Sequence, residues 1–421
     1  MLIQFNFKNF KSFRDEAILD LSATQEKSFS ERVITVGKER ILPVAVIYGA
    51  NASGKTNVYE AFEYMSEYVV YSFQYDDEED KESKFKRVPP FMFDSQSADA
   101  ESTFEVYFTL PLDSSGEVYK YGFSLNKNEI IEEWLNSKAK SAKKYSTIFY
   151  RNTVTKELDL SGIPEKSREN ISIALENRVL VASLGAKLKI GKCKLVRDWF
   201  FANEFANFGD PVTNFFMSRR LPKDFVNQKS VQKKIIDYLA SFDNHIKDFK
   251  VKKVPDIDGN EKMYSIQSLH KMTDSSDMAE IPLGEESAGT LKMFALYPDL
   301  EKVLEKGSVF IIDELNARLY PLLVRNFLLA FLNPETNPNH AQLIFTTHDT
   351  WQLANRLLRE DEIWFAEKDE KGLSSLYSLA DFENDTKQDE NVNYEALYLT
   401  GRYGAIPKMT LLQILGGVSN G

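Results

Sequence analysis

The chain has 421 residues, 43% of them apolar and 27% charged, and carries a formal net charge of −11. This is an ordinary globular composition with room for about two or three structural units, and its acidity argues against a surface that coats nucleic acid uniformly. The single cysteine, Cys193, excludes an intrachain disulfide and a cysteine-based zinc site.

The opening MLIQFNFKNFKSF alternates apolar and polar residues and lacks the continuous apolar core of a signal peptide. No apolar run approaches the length needed to span a bilayer, so the expectation is a cytoplasmic protein without a membrane partner. MLIQFNFKNF and DEAILDLSA predict paired strands, and ILPVAVIYG predicts a buried strand followed by a glycine-bearing turn and a helix from about Thr56. YDDEEDKESK (75–84) is expected to be a solvated acidic loop. STFEVYFTL and EVYKYGFSL, separated by a turn containing Ser114, Ser115 and Gly116, predict an antiparallel hairpin that continues into NEIIEEWL. Residues 161–280 show few strand runs. Patterns such as KLVRDWFFANEFANF and VQKKIIDYLASF predict a mainly helical insertion without sustained heptads. From Ile281 the α/β character returns, with GSVFIIDE and AQLIFTTHD as buried strands.

The strongest chemical signal is GANASGKT, Gly49 to Thr56, which fits G-x-x-x-x-G-K-[ST] between a predicted strand and a predicted helix. Glycines allow successive N–H groups to face phosphates, and the helix N-terminus adds positive potential. Gly49, Asn51, Ser53, Gly54, Lys55, Thr56 and Asn57 are the candidate nucleotide contacts. Lys55 would supply charge to the β and γ phosphates, and the Thr56 hydroxyl would ligate Mg²⁺. A second strand, VFII, runs into Asp313 and Glu314. Buried parallel strands carry function at their carboxyl ends, so Asp313 is the candidate magnesium acid beside the P-loop and Glu314 the candidate base for the attacking water. LIFTTHD brings His348 to the end of a neighbouring strand, where it could reach the γ-phosphate or that water. LGEESAGT offers small residues at a helix start, with Ser287 and the N–H groups near Gly289 able to face a nucleotide.

In order and spacing, GANASGKT, EESAGT, FIIDEL and TTHD resemble the P-loop, signature, magnesium acid with base, and switch histidine of an ABC-type ATPase head. The chain most resembles compact bacterial AAA-type ATPases related to RecF, SMC and OLD proteins. NFKSF, the FEVYF and YGF hairpin, EESAGTLKMF, DELNARLYP, DEIWFAEK and YLTGRYGAIP are similar to ATP-binding proteins of abortive-infection systems. The resemblance covers both ends of the chain well and the middle third poorly. It implies an α/β fold: a P-loop NTPase of ABC-head type with an antiparallel β subdomain and a helical insertion. The implied organisation is an N-terminal ATPase lobe over 1–160, the insertion over 161–280, and a C-terminal ATPase lobe over 281–421. It also implies ATP and Mg²⁺, with Lys11 of the N-terminal motif approaching the nucleotide. Ser287 and Gly289 would complete the site of a second subunit, in a homodimer or higher homo-oligomer.

Three departures bear on coupling and rate: EESAGT replaces LSGGQ, Tyr320 stands where the family often has His, and Asn316 stands where it often has Asp. Gln96 is a poor candidate for the magnesium-sensing glutamine. No acidic cluster in Toprim order follows the head, and Cys193, His245, His270 and His340 form no metal-ligand spacing. The expected effector in anti-phage defence is therefore a separate protein, a Toprim-type nuclease or a toxin. It is expected to dock on the helical insertion or the YLTGRYGAIP region, taken as not needed for ATP chemistry. A RecF-like repair ATPase and an ATP-binding scaffold that sequesters a toxin are the alternatives. The basic stretches 138–144, 187–197 and 218–223 would track nucleic acid only if they converge.

Overall fold

The computed structural model describes residues 1–75, 86–110, 115–210, 212, 220–242, 244–254, 263–354, 357–382 and 392–407. The expected acidic loop over 76–84, the turn residue Ser114 and the start of the third basic stretch lie outside these residues.

Two sheets carry the architecture. Strands β1 (Leu2–Lys8) and β2 (Ala17–Asp20) pair antiparallel, and a short hairpin of β3 (Ile34–Val36) and β4 (Glu39–Ile41) leads to β5 (Val44–Tyr48) and helix α1 (Lys55–Tyr71). After α1 comes a meander: β6 (Ser102–Thr109), β7 (Val118–Leu125), β8 (Ile130–Lys138), β9 (Ser146–Asn152) and β10 (Glu157–Asp159). The seven-stranded antiparallel sheet has the order β10-β9-β8-β7-β6-β1-β2. Its alternation aims aromatic side chains at α1: the Phe5 and Phe62 rings meet edge to face at 4.9 Å.

Three helices follow, α2 (Glu165–Ala174), α3 (Val181–Lys187) and α4 (Gly191–Ala202), then β11 (Glu204–Asn207) and α5 (Lys229–Leu239). Next come β12 (Ile246–Val254), β13 (Met263–Lys271), β14 (Met278–Pro282) and α6 (Ala288–Lys306). The chain continues through β15 (Val309–Asp313), α7 (Pro321–Leu332), β16 (Gln342–Thr346), α8 (Trp351–Ala354), β17 (Ile363–Lys368), β18 (Ser374–Ser378) and α9 (Tyr394–Leu399). The second sheet has the order β11-β15-β16-β5-β17-β18 and is parallel except at its β18 edge. Every residue of β5, β15 and β16 is buried. Alternate residues serve two cores: Ala45 and Ile47 pack with α1 and the antiparallel sheet, while Val44, Val46 and Tyr48 pack with α6 and α7. That double burial is why these strands read as unbroken apolar runs.

The middle of the chain departs from expectation. Residues 161–280 hold strands as well as helices, and they divide between the two cores. Helix α4 packs on the N-terminal side, with Trp199 stacked on Phe108 at 4.4 Å. The pattern KLVRDWFFANEFANF is half helix and half strand. Asn203 ends α4 and accepts Val309 N at 3.1 Å, after which β11 pairs parallel with β15. Backbone pairing at the sheet edge overrides the helical pattern there. Strands β12–β14 form a three-stranded antiparallel sheet, and Phe249 and Phe225 pack on Phe294 of α6. Among the described residues no helix is long and apolar enough to cross a membrane.

Glu133 of β8 ties the meander to α3. Its carboxylate is fully buried and accepts Val181 N at 2.6 Å, Ala182 N at 3.0 Å and the Tyr121 hydroxyl at 3.1 Å. Burial pushes this carboxyl up to about 7, opposed by the two backbone donors. We expect Glu133→Ala to leave two amides of the first α3 turn without an acceptor, lowering unfolding free energy by about 2–3 kcal/mol. Glu133→Gln, which keeps an acceptor oxygen, should cost less. Urea denaturation of the two variants measures the difference.

Candidate active site

The loop after β5 is built by backbone conformations that few residues tolerate. Gly49 (φ 152°) has no room for a side chain, since a Cβ would stand 2.3 Å from Ala366 O, and Ala52 and Gly54 also have positive φ. Helix α1 then begins at Lys55 with no side chain capping its first turn; Asn57 N donates to Gly54 O at 2.9 Å, while among the described residues the Lys55 and Thr56 amides have no hydrogen-bond acceptor and can face an anion. The Lys55 ammonium, 4% exposed, folds back on the loop and donates to Gly49 O at 3.0 Å and Ala50 O at 3.2 Å. Burial lowers its affinity for the proton, opposed by Glu314 and Asp313.

Asp313, at the end of β15, accepts Thr56 Oγ1 on Oδ2 at 3.0 Å and Thr346 Oγ1 on Oδ1 at 2.6 Å. The expectation had this strand end beside the P-loop, and Asp313 does meet Thr56 there. In the structure β16 lies between β15 and β5, and Asp313 reaches Thr56 across it. Burial raises the Asp313 carboxyl above its ordinary range despite the two hydroxyl donors. Glu314 takes a left-handed backbone (φ 54°), donates its N–H to Thr346 Oγ1 at 2.9 Å, and places its Oε1 3.0 Å from His348 Nε2. Burial acts against its charge, but the hydrogen bond and electrostatic interaction with His348, together with the charges of Lys55 and Lys292, hold this carboxyl below the usual range. His348 Nε2 also stands 3.1 Å from Lys55 Nζ. The structure therefore brings together Lys55, Thr56, Asp313, Glu314 and His348 from three adjacent strand ends. Thr56 Oγ1 and Asp313 Oδ2 form a hard oxygen pair of the kind that fits Mg²⁺, which keeps several waters beside one or two protein ligands.

Residues 44–350 match the family described as "AAA domain, putative AbiEii toxin, Type IV TA system". The chain belongs to this family. The match opens at β5 and closes just past His348, so it encloses the whole constellation. The fold is the α/β fold of an AAA domain, with the P-loop between β5 and α1. No curated protein matches the chain in sequence. Among solved structures, the recombination mediator protein RecF with ATP aligns over 89% of this chain and 97% of that one, at 13% identity and a TM-score of 0.35.

Other residues of this AAA-domain chain lie farther from the P-loop. Ser287 caps α6, accepting Thr290 N at 3.1 Å, and Gly289 faces Arg318 O. Among the described residues, no hydrogen bond joins either to residues 49–57. The Lys11 ammonium pairs with Glu60 on α1. Its neighbour Ser12 reaches the P-loop helix instead, accepting Asn57 Nδ2 at 2.6 Å and lying 2.7 Å from Ser374 Oγ. Gln96 is exposed beside Asp94. Cys193 is buried, and burial pushes its thiol up to about 12. Much of the basic charge is paired with acids: Lys138 with Glu39, Lys192 with Glu117, Lys194 and Arg197 with Asp198, and Arg220 with Asp299.

Sequence reasoning overlooked several contributors. Asn316 Oδ1 accepts Thr347 Oγ1 at 2.8 Å and His348 N at 3.3 Å, tying the loop after Glu314 to the histidine strand. Glu286, at the entry to α6, is held by His270 at 2.7 Å and by Ser268. The YLTGRYGAIP region, expected to stand apart from ATP chemistry, packs on the P-loop: Ala50 N donates to Ala405 O at 2.9 Å. Lys292 of α6, 4% exposed, donates to Leu315 O at 2.6 Å, Ala317 O at 2.9 Å and Glu314 O at 3.3 Å, and lies 3.8 Å from the Phe208 ring centroid. No charge pattern announces such a lysine, because its partners are backbone carbonyls.

Burial pulls Lys292 down to about 7, opposed by Glu314. Its folded pKa thus lies below its unfolded one, so the unfolded chain holds the proton more tightly and stability should rise with pH above 7. Between pH 7 and 9 the wild type should gain on the order of 1–2 kcal/mol relative to Lys292→Met. Parallel denaturation curves at the two pH values check this.

Proposed function

We propose that the chain is a magnesium-dependent ATPase, acting as a homodimer or higher homo-oligomer, whose nucleotide state controls a separate nuclease or toxin in bacterial anti-phage defence. The observation that carries the reading is the convergence, at the carboxyl ends of three adjacent strands, of Lys55, the Thr56–Asp313 pair and the Glu314–His348 pair. Membership of a family described for a toxin of type IV systems supports the defence setting.

In this reading the open amides of α1 and the loop N–H groups bind the phosphates, and Lys55 exchanges its carbonyl partners Gly49 O and Ala50 O for phosphate oxygens. Magnesium held by Thr56 and Asp313 would supply charge neutralisation for the phosphate oxygens. Glu314, kept ionised, orients the attacking water and receives its proton, and His348 holds the Glu314 carboxylate in place. Asn51, Ser53, Gly54 and Asn57 complete the cradle, and Lys11 joins it only by leaving Glu60. Ser287 and Gly289, on a helix start that makes no hydrogen bond to its own P-loop among the described residues, serve the nucleotide of the partner subunit.

Lys55→Ala should lose ATP binding or all hydrolysis. Glu314→Gln should keep binding while slowing turnover by about a hundredfold or more, as expected when a general base is removed. Phosphate release and nucleotide titration on both variants decide the point, and normal turnover by Glu314→Gln would place the base elsewhere.

The shared-site arrangement has its own test. Ser287→Arg and Lys55→Ala chains should each be inactive alone. Mixing them should restore part of the activity, because one interface of the mixed dimer then pairs an intact Lys55 with an intact Ser287. Full activity of Ser287→Arg by itself would refute a role for that helix start.

A further inference from the structure

The C-terminal segment is folded against the nucleotide cleft in a way the ATPase reading does not use. Tyr398 and Tyr403 stack on Phe365 of β17, at 5.4 and 5.6 Å between ring centroids. This fastens the segment to the strand beside β5. Between the two tyrosines and just beyond them the backbone turns sharply, with positive φ at Gly401 (83°), Gly404 (66°) and Ala405 (54°). A side chain on Gly404 would stand 2.8 Å from both Glu367 Oε2 and the Tyr377 hydroxyl. The same hydroxyl donates to Tyr403 O at 2.8 Å. These contacts aim one group at the P-loop: Ala405 O accepts Ala50 N at 2.9 Å and the Tyr398 hydroxyl at 3.1 Å. Ala50 O in turn accepts Lys55 Nζ at 3.2 Å. The second P-loop residue is thus clamped between the C-terminal segment and the phosphate lysine. Ala405, Ile406 and Pro407 share with residues 49–53 and His348 the walls of a cleft of about 740 Å³.

We infer that the turn Gly401–Ile406 is part of the nucleotide site, and that Gly404 and Ala405 are positioning residues that fix the first half of the P-loop through the Ala405 carbonyl. The inference rests on the ATPase reading above and adds to it a structural element beyond residues 44–350. A valine at either position cannot keep the left-handed turn without strain, because its branched Cβ crowds the backbone. The carbonyl then swings away, Ala50 loses its acceptor, and the loop must be ordered at the expense of nucleotide affinity.

The test uses the full chain, ATP carrying a fluorophore on its ribose, and ATP turnover. Gly404→Val and Ala405→Val should raise Kd and KM by about tenfold or more, the loss expected when a buried amide is left without its acceptor. Turnover at saturating ATP should stay within about threefold of wild type, because the loop is used for binding and not for the chemical step. Ala405→Gly keeps both the carbonyl and the left-handed backbone and should bind as wild type does. Lys55→Ala separates the two ideas: if it loses binding while folded valine variants keep wild-type affinity, the positioning role is overturned and the ATPase reading stands. If Lys55→Ala both binds and hydrolyses ATP as wild type does, both are overturned. Should the valine variants fail to fold, hydrogen exchange at the Ala50 amide of the unmodified chain decides. Strong protection supports the clamp, and exchange at the rate of an open loop overturns it.

Discussion

The structure is organised around charge that has been taken out of water. Lys55 and Asp313 are almost wholly inaccessible, and Glu314 is mostly so. Each would be costly alone in such surroundings. They are tolerable together because the ends of β5, β15 and β16 bring carbonyl, hydroxyl and imidazole partners within hydrogen-bond reach and opposite charges near enough to act on one another. Thr346 has a central part: a single hydroxyl donates to Asp313 and accepts the Glu314 amide, so one side chain of the intervening strand orients both acids. A shift of β16 by one residue would turn Thr346 to the other face and remove that support. The demand for register explains why all three strands are buried on both faces, where packing specifies register most strongly.

This constraint also accounts for what could be read from the sequence. GANASGKT, VFIIDE and LIFTTHD were legible because strands buried on both faces leave continuous apolar runs, and because the loop demands glycine where a Cβ would collide with Ala366 O. The hairpin over 102–125 and its continuation into 128–135 were legible from alternation, which is regular along most of β6, although β7 is buried along nearly its whole length. Strands β12 and β13 were not. Their outward positions carry lysine and small polar residues that mimic a solvated helix, and their inward ones, such as Phe249 and Ile266, are sparse. Helices do run through the expected helical stretch, but these strands among them went unread. The helical reading also hid the division of that stretch between two cores.

The site itself was less legible than its acids and P-loop suggested. Residues whose chemistry is aimed at backbone groups leave no pattern: Lys292 at the carbonyls of 314–317, Asn316 at His348 N, Ala405 O at Ala50 N. Lys11 was read from its motif, yet geometry gives its ammonium to Glu60 and gives the contact with the P-loop helix to Ser12. Tyr320 and Asn316 were noted as departures from the family pattern. Asn316 is nonetheless fully engaged, because an amide oxygen accepts from Thr347 and His348 as a carboxylate would, without adding another buried charge beside Glu314.

The same backbone contacts give the two ends of the ATPase head a mechanical connection. Helix α6 begins at the Ser287 cap and, about one and a half turns later, delivers Lys292 to the carbonyls of Glu314, Leu315 and Ala317. The loop that receives it includes Asn316, which holds His348, and His348 holds the Glu314 carboxylate. A displacement of the α6 N-terminus, where a second nucleotide would bear on Ser287, therefore moves the carbonyls that fix Glu314. Helices transmit such displacement because their hydrogen-bonded backbone is stiff along the axis. A lysine bound to several carbonyls at once suits the junction better than a salt bridge, since it can trade one carbonyl for another without leaving a carboxylate unpaired. The coupling needs no contact between Ser287 and its own P-loop, and none is made among the described residues. In the proposed dimer the helix start would sense the nucleotide of the other subunit and bear on Glu314, the proposed base of its own.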